Sequence, residues 1–451
     1  MLSMGRLSLL ALAEASPADT AWLLMASAMV LLMTPALALF YGGLVRSKNM
    51  LNTMMMSFAA LGVAVLVWAV AGYSLAFGEG SALLGGTQHL LLGNVGLEVK
   101  GSVPHVLFMA YQATFAIITV ALISGAVVER MSFRAYLLFI GLWVAVVYAP
   151  LAHWVWGGGW LARLGALDFA GGTVVHVNAG AAALVAALVL GKRKDHGRQA
   201  LLPHNVPLVL LGAGLLWFGW FGFNAGSALA ANGTAALAFT NTLLAPAAAL
   251  VVWTLLDLRR TGKATSVGTA TGIVIGLVAI TPAAGFVSPR AGMVIGAVAV
   301  VPSYFAMLWR ARTRLDDALD VTAAHGLGGI SGALLTGVFA RAAWGGANGL
   351  LAGHQAQLGI QALAVLVTIG YSMAATYGLL RLVGLVTPLR VGEREQGVGL
   401  DVVLHGEEAY GSGEGAVLLL DRQPPRGADS PIEPVLAAPS VVASLGRSAK
   451  A

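Results

Sequence analysis

The feature that most limits what this chain can fold into is a succession of long apolar runs with its charge confined mainly between them. About 20 consecutive apolar residues span a bilayer as a helix. Eleven stretches read as spans, near 20–45, 52–77, 105–128, 135–156, 172–191, 206–224, 236–256, 267–281, 291–309, 322–340 and 360–386, the eighth being short. Only 10% of the 451 residues are charged and 58% are hydrophobic, where a soluble domain carries about a quarter charged residues. The expected fold class is an all-α polytopic membrane protein, and a water-soluble enzyme is excluded. The 58 glycines and 16 prolines do not signal disorder, because they fall inside apolar runs, where small residues let helices pack closely. Cysteine is absent, so disulfides, thiol catalysis and Cys-ligated metals are excluded, and no metal or cofactor is expected.

Charge in the loops orients the spans. Loops after spans 1, 3, 5, 7 and 9 hold Arg46, Lys48, Arg130, Arg134, Lys192, Arg193, Lys194, Arg198, Arg259, Arg260, Lys263, Arg310, Arg312 and Arg314, fourteen in all. The alternate loops hold four, Lys100, Arg163, Arg290 and Arg341. This bias places the N-terminus outside and the C-terminus in the cytoplasm of a plasma (inner) membrane, and it requires an odd number of spans. It also explains the net charge of +6 without a nucleic-acid partner, since the basic residues form no stripe. Residues 1–18 form an N-terminal segment in which Arg6, the apolar Leu7–Ala13 and the small residues of Ala13-Glu14-Ala15 match a signal peptide. A short uncleaved tail is the alternative. Residues 19–387 form the membrane domain and 388–410 a cytoplasmic segment, while 411–451, rich in Pro, Ala, Ser and Gly, read as a disordered tail.

The two halves echo each other. Span 5 carries His176-Val177-Asn178-Ala179-Gly180 and span 10 carries His325-Gly326-Leu327-Gly328-Gly329, both His-x-x-x-Gly. The end of span 1, Phe40-Tyr41-Gly42-Gly43, has a counterpart in Phe223-Asn224-Ala225-Gly226 at the end of span 6. Five spans per half force opposite topologies, giving two inverted five-helix repeats plus one extra helix and placing a site between the halves. An ionisable group at a span's centre costs at least about 2.5 kcal/mol when charged. A lone histidine there most often satisfies a neighbouring helix; a matched pair brought together by a pseudo-twofold points to function. Tyr111, Phe115, Trp154, Trp156, Trp217, Trp220, Phe221 and Phe223 cluster toward the outer ends. They read either as an interfacial belt or as a cage whose π faces attract a small cation by about 0.5–2 kcal/mol. Asp168, at the outer start of span 5, suits a helix N-cap and can also support a nearby cation.

These motifs resemble the ammonium transporter family (Amt/MEP/Rh), in its bacterial Amt type. DFAGGTVVH from Asp168 to His176 is similar to the family signature, and ALFYGGLVRSKN from Ala38, WFGFNAGSA from Trp220, AHGLGGISGAL from Ala324 and GLDVVLHGEEAY from Gly399 agree with it in order. The resemblance covers about Asp19 to Tyr410.

It implies a homotrimer of eleven-span subunits, each with its own pore, in a lipid bilayer. By motif, Trp156 and Ser227 would hold ammonium with Tyr111 beside them, Tyr111 being a departure where phenylalanine is common. Phe115 and Phe223 would close the pore below, and Trp220 and Phe40 are candidate pore-lining residues. His176 and His325 resemble the family's twin histidines, Asp168 its acidic residue needed for conduction, and Asp317 a cytoplasmic residue linked to the tail. Methylammonium would serve as an analogue, and a PII-type signalling protein would dock on the inner face. The competing expectations are an electroneutral Rh-like gas channel and an ammonium sensor acting through its tail. An intramembrane hydrolase lacks support, because no nucleophile, paired acid or HExxH accompanies the histidines.

Overall fold

The structure, a computed structural model, describes residues 14–411. The core of the signal-peptide reading, Leu7–Ala13, and all but the first residue of the 411–451 tail lie outside the described residues.

The described residues are mostly helical, with a helix in each expected stretch. These helices are α1 (Pro17–Leu44), α2 (Ser47–Phe77), α3 (His105–Val127), α4 (Phe133–Leu164), α5 (Gly172–Leu190), α6 (Val206–Gly226), α7 (Gly233–Thr261), α8 (Ser266–Ile280), α9 (Pro289–Arg310), α10 (Thr322–Leu327 continued by Gly328–Phe339) and α11 (Ala356–Val386). Among the described residues nine of them are long and apolar enough to cross a membrane; α8, at 15 residues, and α10 are not among the nine. Local chemistry sets many of the starts. Side chains of Ser16, Ser132, Asn205, Asn232, Thr265 and Ser288 accept a backbone N–H from the first turns of α1, α4, α6, α7, α8 and α9, satisfying donors that a helix leaves open.

Small residues decide which helices touch. On α6 a Cβ at Gly212 would lie 2.5 Å from Phe40 N of α1, so these two helices pack at backbone distance. Likewise a Cβ at Gly180 of α5 would meet Gly326 Cα of α10 at 2.3 Å, so the crossing of the two histidine-bearing helices needs the glycine of the first His-x-x-x-Gly motif. Helices α3 and α5 are buried along most of their length, whereas α2, α7, α9 and α11 turn large apolar side chains such as Leu66, Phe239, Phe305 and Leu366 outward. A soluble monomer rarely carries so much exposed apolar surface.

Among the described residues four π-helical turns interrupt the helices, Trp68–Gly72, Val144–Tyr148, Gly172–Val177 and Thr322–Leu327. The last two open α5 and α10 and carry His176 and His325. Hydropathy does not reveal such turns, which favour functional positions.

At the end of the bundle bearing the basic loops, Glu129 is buried with φ 66°. Its carboxylate accepts from Arg46 Nε at 3.0 Å, Asn49 Nδ2 at 2.8 Å and Arg193 Nη1 at 2.8 Å, while Arg193 also clasps Asp316. The 388–410 segment folds onto this cluster as α12 (Glu393–Val398) and α13 (Leu400–His405). Asp401 accepts the N–H groups of Leu51 and Asn52 at the start of α2 (3.0 and 2.8 Å), and Asn49 Oδ1 accepts from Leu400 N (2.8 Å). Asn49 thus joins the ion cluster to the tail.

Burial pushes the Glu129 carboxyl up, but Arg193 and Arg46 outweigh it and hold the group below the usual carboxylate range; Asp316 is held lower still, its burial overcome by Arg193 and Arg130. A carboxyl depressed in the folded state stabilises above its unfolded pKa, near 4, and loses that contribution as pH falls through the folded value. Glu129→Gln should therefore cost several kcal/mol, on the scale of a broken buried ion pair. The difference from wild type should be constant between pH 8 and 6 and shrink below about pH 4, as read by thermal unfolding of detergent-purified protein.

Candidate functional site

The site lies where α5 and α10 cross. Asp168, immediately before α5, receives five donors: Gly171 N (2.8 Å) and Gly172 N (2.5 Å) on Oδ1, and Thr173 N (2.8 Å), Val174 N (3.1 Å) and the Thr173 hydroxyl on Oδ2. Eight residues later comes His176. Asp317, before α10, accepts from Val321 N (3.1 Å) and Thr322 N (2.7 Å), and eight residues later comes His325. Each half-helix therefore has an aspartate cap followed by a π turn that turns a histidine inward, one from each end of the bundle, as inverted repeats require.

The two imidazoles meet with Nδ1 atoms 3.4 Å apart, rings nearly parallel at 25° and 5.4 Å between centroids. Both are buried, and Trp220 stacks on the His176 ring at 5.4 Å. For two neutral rings, one Nδ1 donates and the other accepts. One ring then presents a bare Nε2 and the other an Nε2–H. His176 Nε2 is buried without any partner, an arrangement that costs about 1–3 kcal/mol unless a solute fills it.

Open spaces line up on this pair. Toward the Asp168 end, a cavity of about 290 Å³ is lined by Phe77, Phe108, Gln112, Phe115, Trp156, Phe169 and Ser227. Its floor is the Phe115–Phe223 stack, with centroids 4.3 Å apart. Below lies a narrow, mainly apolar gap of about 10 Å³ bordered by Phe40, Ile118, Trp220, Phe223, His176 and His325, room for about one water-sized molecule. His325 and Phe40 also border a cavity of about 210 Å³ at the basic end, lined in addition by Tyr41, Arg310 and Asp320. Burial pushes the Asp320 carboxyl up to about 6 despite its ion pair with Arg310.

The structure brings together Trp156, Ser227, Phe115, Phe223, Trp220, Phe40, His176 and His325 along this line. Three residues stand apart from it. Asp168 is turned into its own helix, and its backbone oxygen takes the Trp156 Nε1 hydrogen bond at 2.9 Å, so it acts on the cavity by positioning. Tyr111 points its hydroxyl at the carbonyls of Gly222 and Phe223 (3.0 Å each) and lies 3.3 Å from Ser227 Oγ; it braces α3 against α6. Asp317 caps α10, and it is the neighbouring Asp316 that bonds Arg193, next to the Lys194 N–H held by Gln396 of the tail.

Tyr111→Phe should cost about 1 kcal/mol of stability for the lost hydroxyl contacts. It should leave half-saturation for a solute held at this cavity within about threefold of wild type, because Ser227 Oγ keeps its own bond to Phe223 O at 2.9 Å. Thermal unfolding and uptake in vesicles check the two parts. Sequence reading passed over Phe108 and Gln112, though they share a helical face with Phe115 at spacings of four and three residues. Phe77 carries no local signal, arriving from another segment, and Phe169 stands beside Asp168 in the quoted motif without having been singled out.

A helical bundle with a narrow apolar passage between two cavities defines a multi-pass membrane transporter or channel for a small solute. The chain belongs to the Ammonium Transporter Family, whose model matches residues 21–410, a family of transporters rather than enzymes. It is 53% identical over 403 residues to an ammonium transporter of Aquifex aeolicus (strain VF5), covering 88% of this chain and 94% of that one. The Saccharomyces cerevisiae Mep2 crystal structure aligns with TM-score 0.79 and 36% identity over 84% of this chain and 88% of that one. A Sensor Amt Protein aligns with TM-score 0.81 and 31% identity, over 86% and 98%.

Proposed function

We propose that this chain moves ammonium nitrogen across the plasma membrane by holding the ion at the outer cavity, stripping its proton, conducting ammonia past His176 and His325, and relaying the proton separately. Eleven spans, an outside N-terminus, a cytoplasmic tail and a homotrimer with one pore per subunit belong to the same reading. The observation that carries it is the pair of facing imidazoles bordering a narrow gap that lies between two cavities.

Energetics favour the neutral base. An unpaired ion in a dry apolar passage meets a Born penalty of up to tens of kcal/mol. An ammonium pKa near 9–10 makes neutralisation at pH 7 cost only about 3–4 kcal/mol. Potassium, of similar charge and size, has no proton to lose, which gives selectivity. At the outer cavity Trp156, Phe108 and Phe115 offer π faces to the cation and Ser227 a hydroxyl oxygen. The Phe115–Phe223 stack keeps water and ions back, and Trp220 fixes the His176 ring. The unpartnered His176 Nε2 takes ammonia or a proton, and the Nδ1 contact passes the proton to His325 and the inner cavity.

A second reading, an ammonium sensor in which flux is incidental, draws support from the likeness to a Sensor Amt Protein and from a tail packed against the start of α2; a PII-type protein on the inner face suits either reading. Labelled methylammonium accumulation in reconstituted vesicles separates them. A transporter accumulates it; a sensor shows almost none. Charge movement accompanying uptake then separates the proton-coupled route from an electroneutral gas channel.

A further inference from the structure

At the basic end, the loop between α5 and α6 and the first residues of the tail border an open pocket of about 450 Å³. Six cationic or titratable side chains converge on it, Lys192, Arg193, Lys194, His196, Arg198 and Arg390, against one carboxylate, Glu393. Two of the six are already matched, Arg193 by Glu129 and Asp316 and His196 by Asp316. Among the described residues, Lys192, Lys194, Arg198 and Arg390 make no ion pair.

Loop orientation explains why such residues are basic, but not why Arg390 arrives from a segment some two hundred residues away to join them. It is held there. Arg390 Nη1 donates to Leu190 O at 2.9 Å, and the adjacent backbone pairs with the α3–α4 loop through Ser132 N to Leu389 O (2.9 Å) and Val391 N to Arg130 O (3.0 Å). Lys194 and Arg390 are half-buried there, whereas Lys192 and Arg198, like Arg259 and Arg260 at the end of α7 and Lys263 just after it, are exposed.

We propose that this pocket binds a phosphoryl group. Several converging Lys and Arg donors match an anion with several acceptor oxygens and more than one negative charge better than a carboxylate, and the volume admits phosphate with an attached group. The occupant ties the loop to the tail, because Gln396 Oε1, which accepts from Lys194 N at 3.1 Å, already links the pocket wall to α12. The group comes from a soluble phosphorylated solute or from an anionic lipid headgroup of the adjoining leaflet.

The test uses the full detergent-purified chain, titrated with pyrophosphate at low salt and, separately, with phosphatidylglycerol against phosphatidylcholine by native mass spectrometry. Lys192→Gln/Lys194→Gln/Arg198→Gln should weaken binding by at least about tenfold, as for loss of charge-assisted hydrogen bonds. The control Arg259→Gln/Arg260→Gln/Lys263→Gln removes the same charge and should change it by less than about twofold. Amide exchange across 391–405 should slow on binding in the wild type and not in the pocket variant. A response to pyrophosphate assigns a soluble ligand, and one confined to phosphatidylglycerol assigns the lipid. Equal losses in both triple variants, or no binding of either probe, would overturn the proposal.

Discussion

His176→Ala should reduce the current driven by an ammonium gradient on the order of a hundredfold or more, the scale on which a positioned proton-transfer group acts. The ring has one hydrogen bond, the 3.4 Å contact to His325, and otherwise packs against Trp220 and Phe223. Its removal should therefore leave the bundle folded while breaking the only imidazole link across the apolar gap. Size-exclusion profile and melting temperature serve as the fold control. Undiminished, still ammonium-selective current would contradict the relay.

Asp168→Ala should have the other large effect, through a different route. Its carboxylate satisfies five donors at the start of α5, and each buried donor left open costs about 1–3 kcal/mol. The sum is a large share of a typical stability of about 5–15 kcal/mol. The expected result is loss of methylammonium uptake together with a marked fall in melting temperature, as the Gly171–Val174 turn unwinds and Trp156 loses the carbonyl it bonds. Asp168→Asn, which keeps one acceptor oxygen, should fall between. Wild-type uptake and stability in the alanine variant would show that the cap is dispensable.

Much of this was legible in the sequence, for identifiable reasons. Apolar runs and loop charge are averages over many residues, so they located the helices, including the short α8, with every end but the last of α4 within about five positions. The histidine pairing was legible because inverted repeats make two distant positions equivalent, and Asp168 because an N-cap is a local motif. What escaped depends on details that averages erase. The π turns that aim His176 and His325 inward alter hydrogen bonding without altering hydropathy. The direction of Tyr111 is set by the carbonyls of Gly222 and Phe223 on another helix. Asp401 gives no hint in sequence that it caps α2 from 350 positions away.

Deprotonation before the apolar gap is tested most directly by voltage-clamped current in proteoliposomes holding the wild-type chain, under equal gradients of ammonium and then potassium. A neutral-base pathway with a separate proton relay predicts inward current with ammonium, none above background with potassium, and a smaller ammonium current in heavy water. Comparable currents from both ions, insensitive to heavy water, would mean that the intact cation passes between the imidazoles.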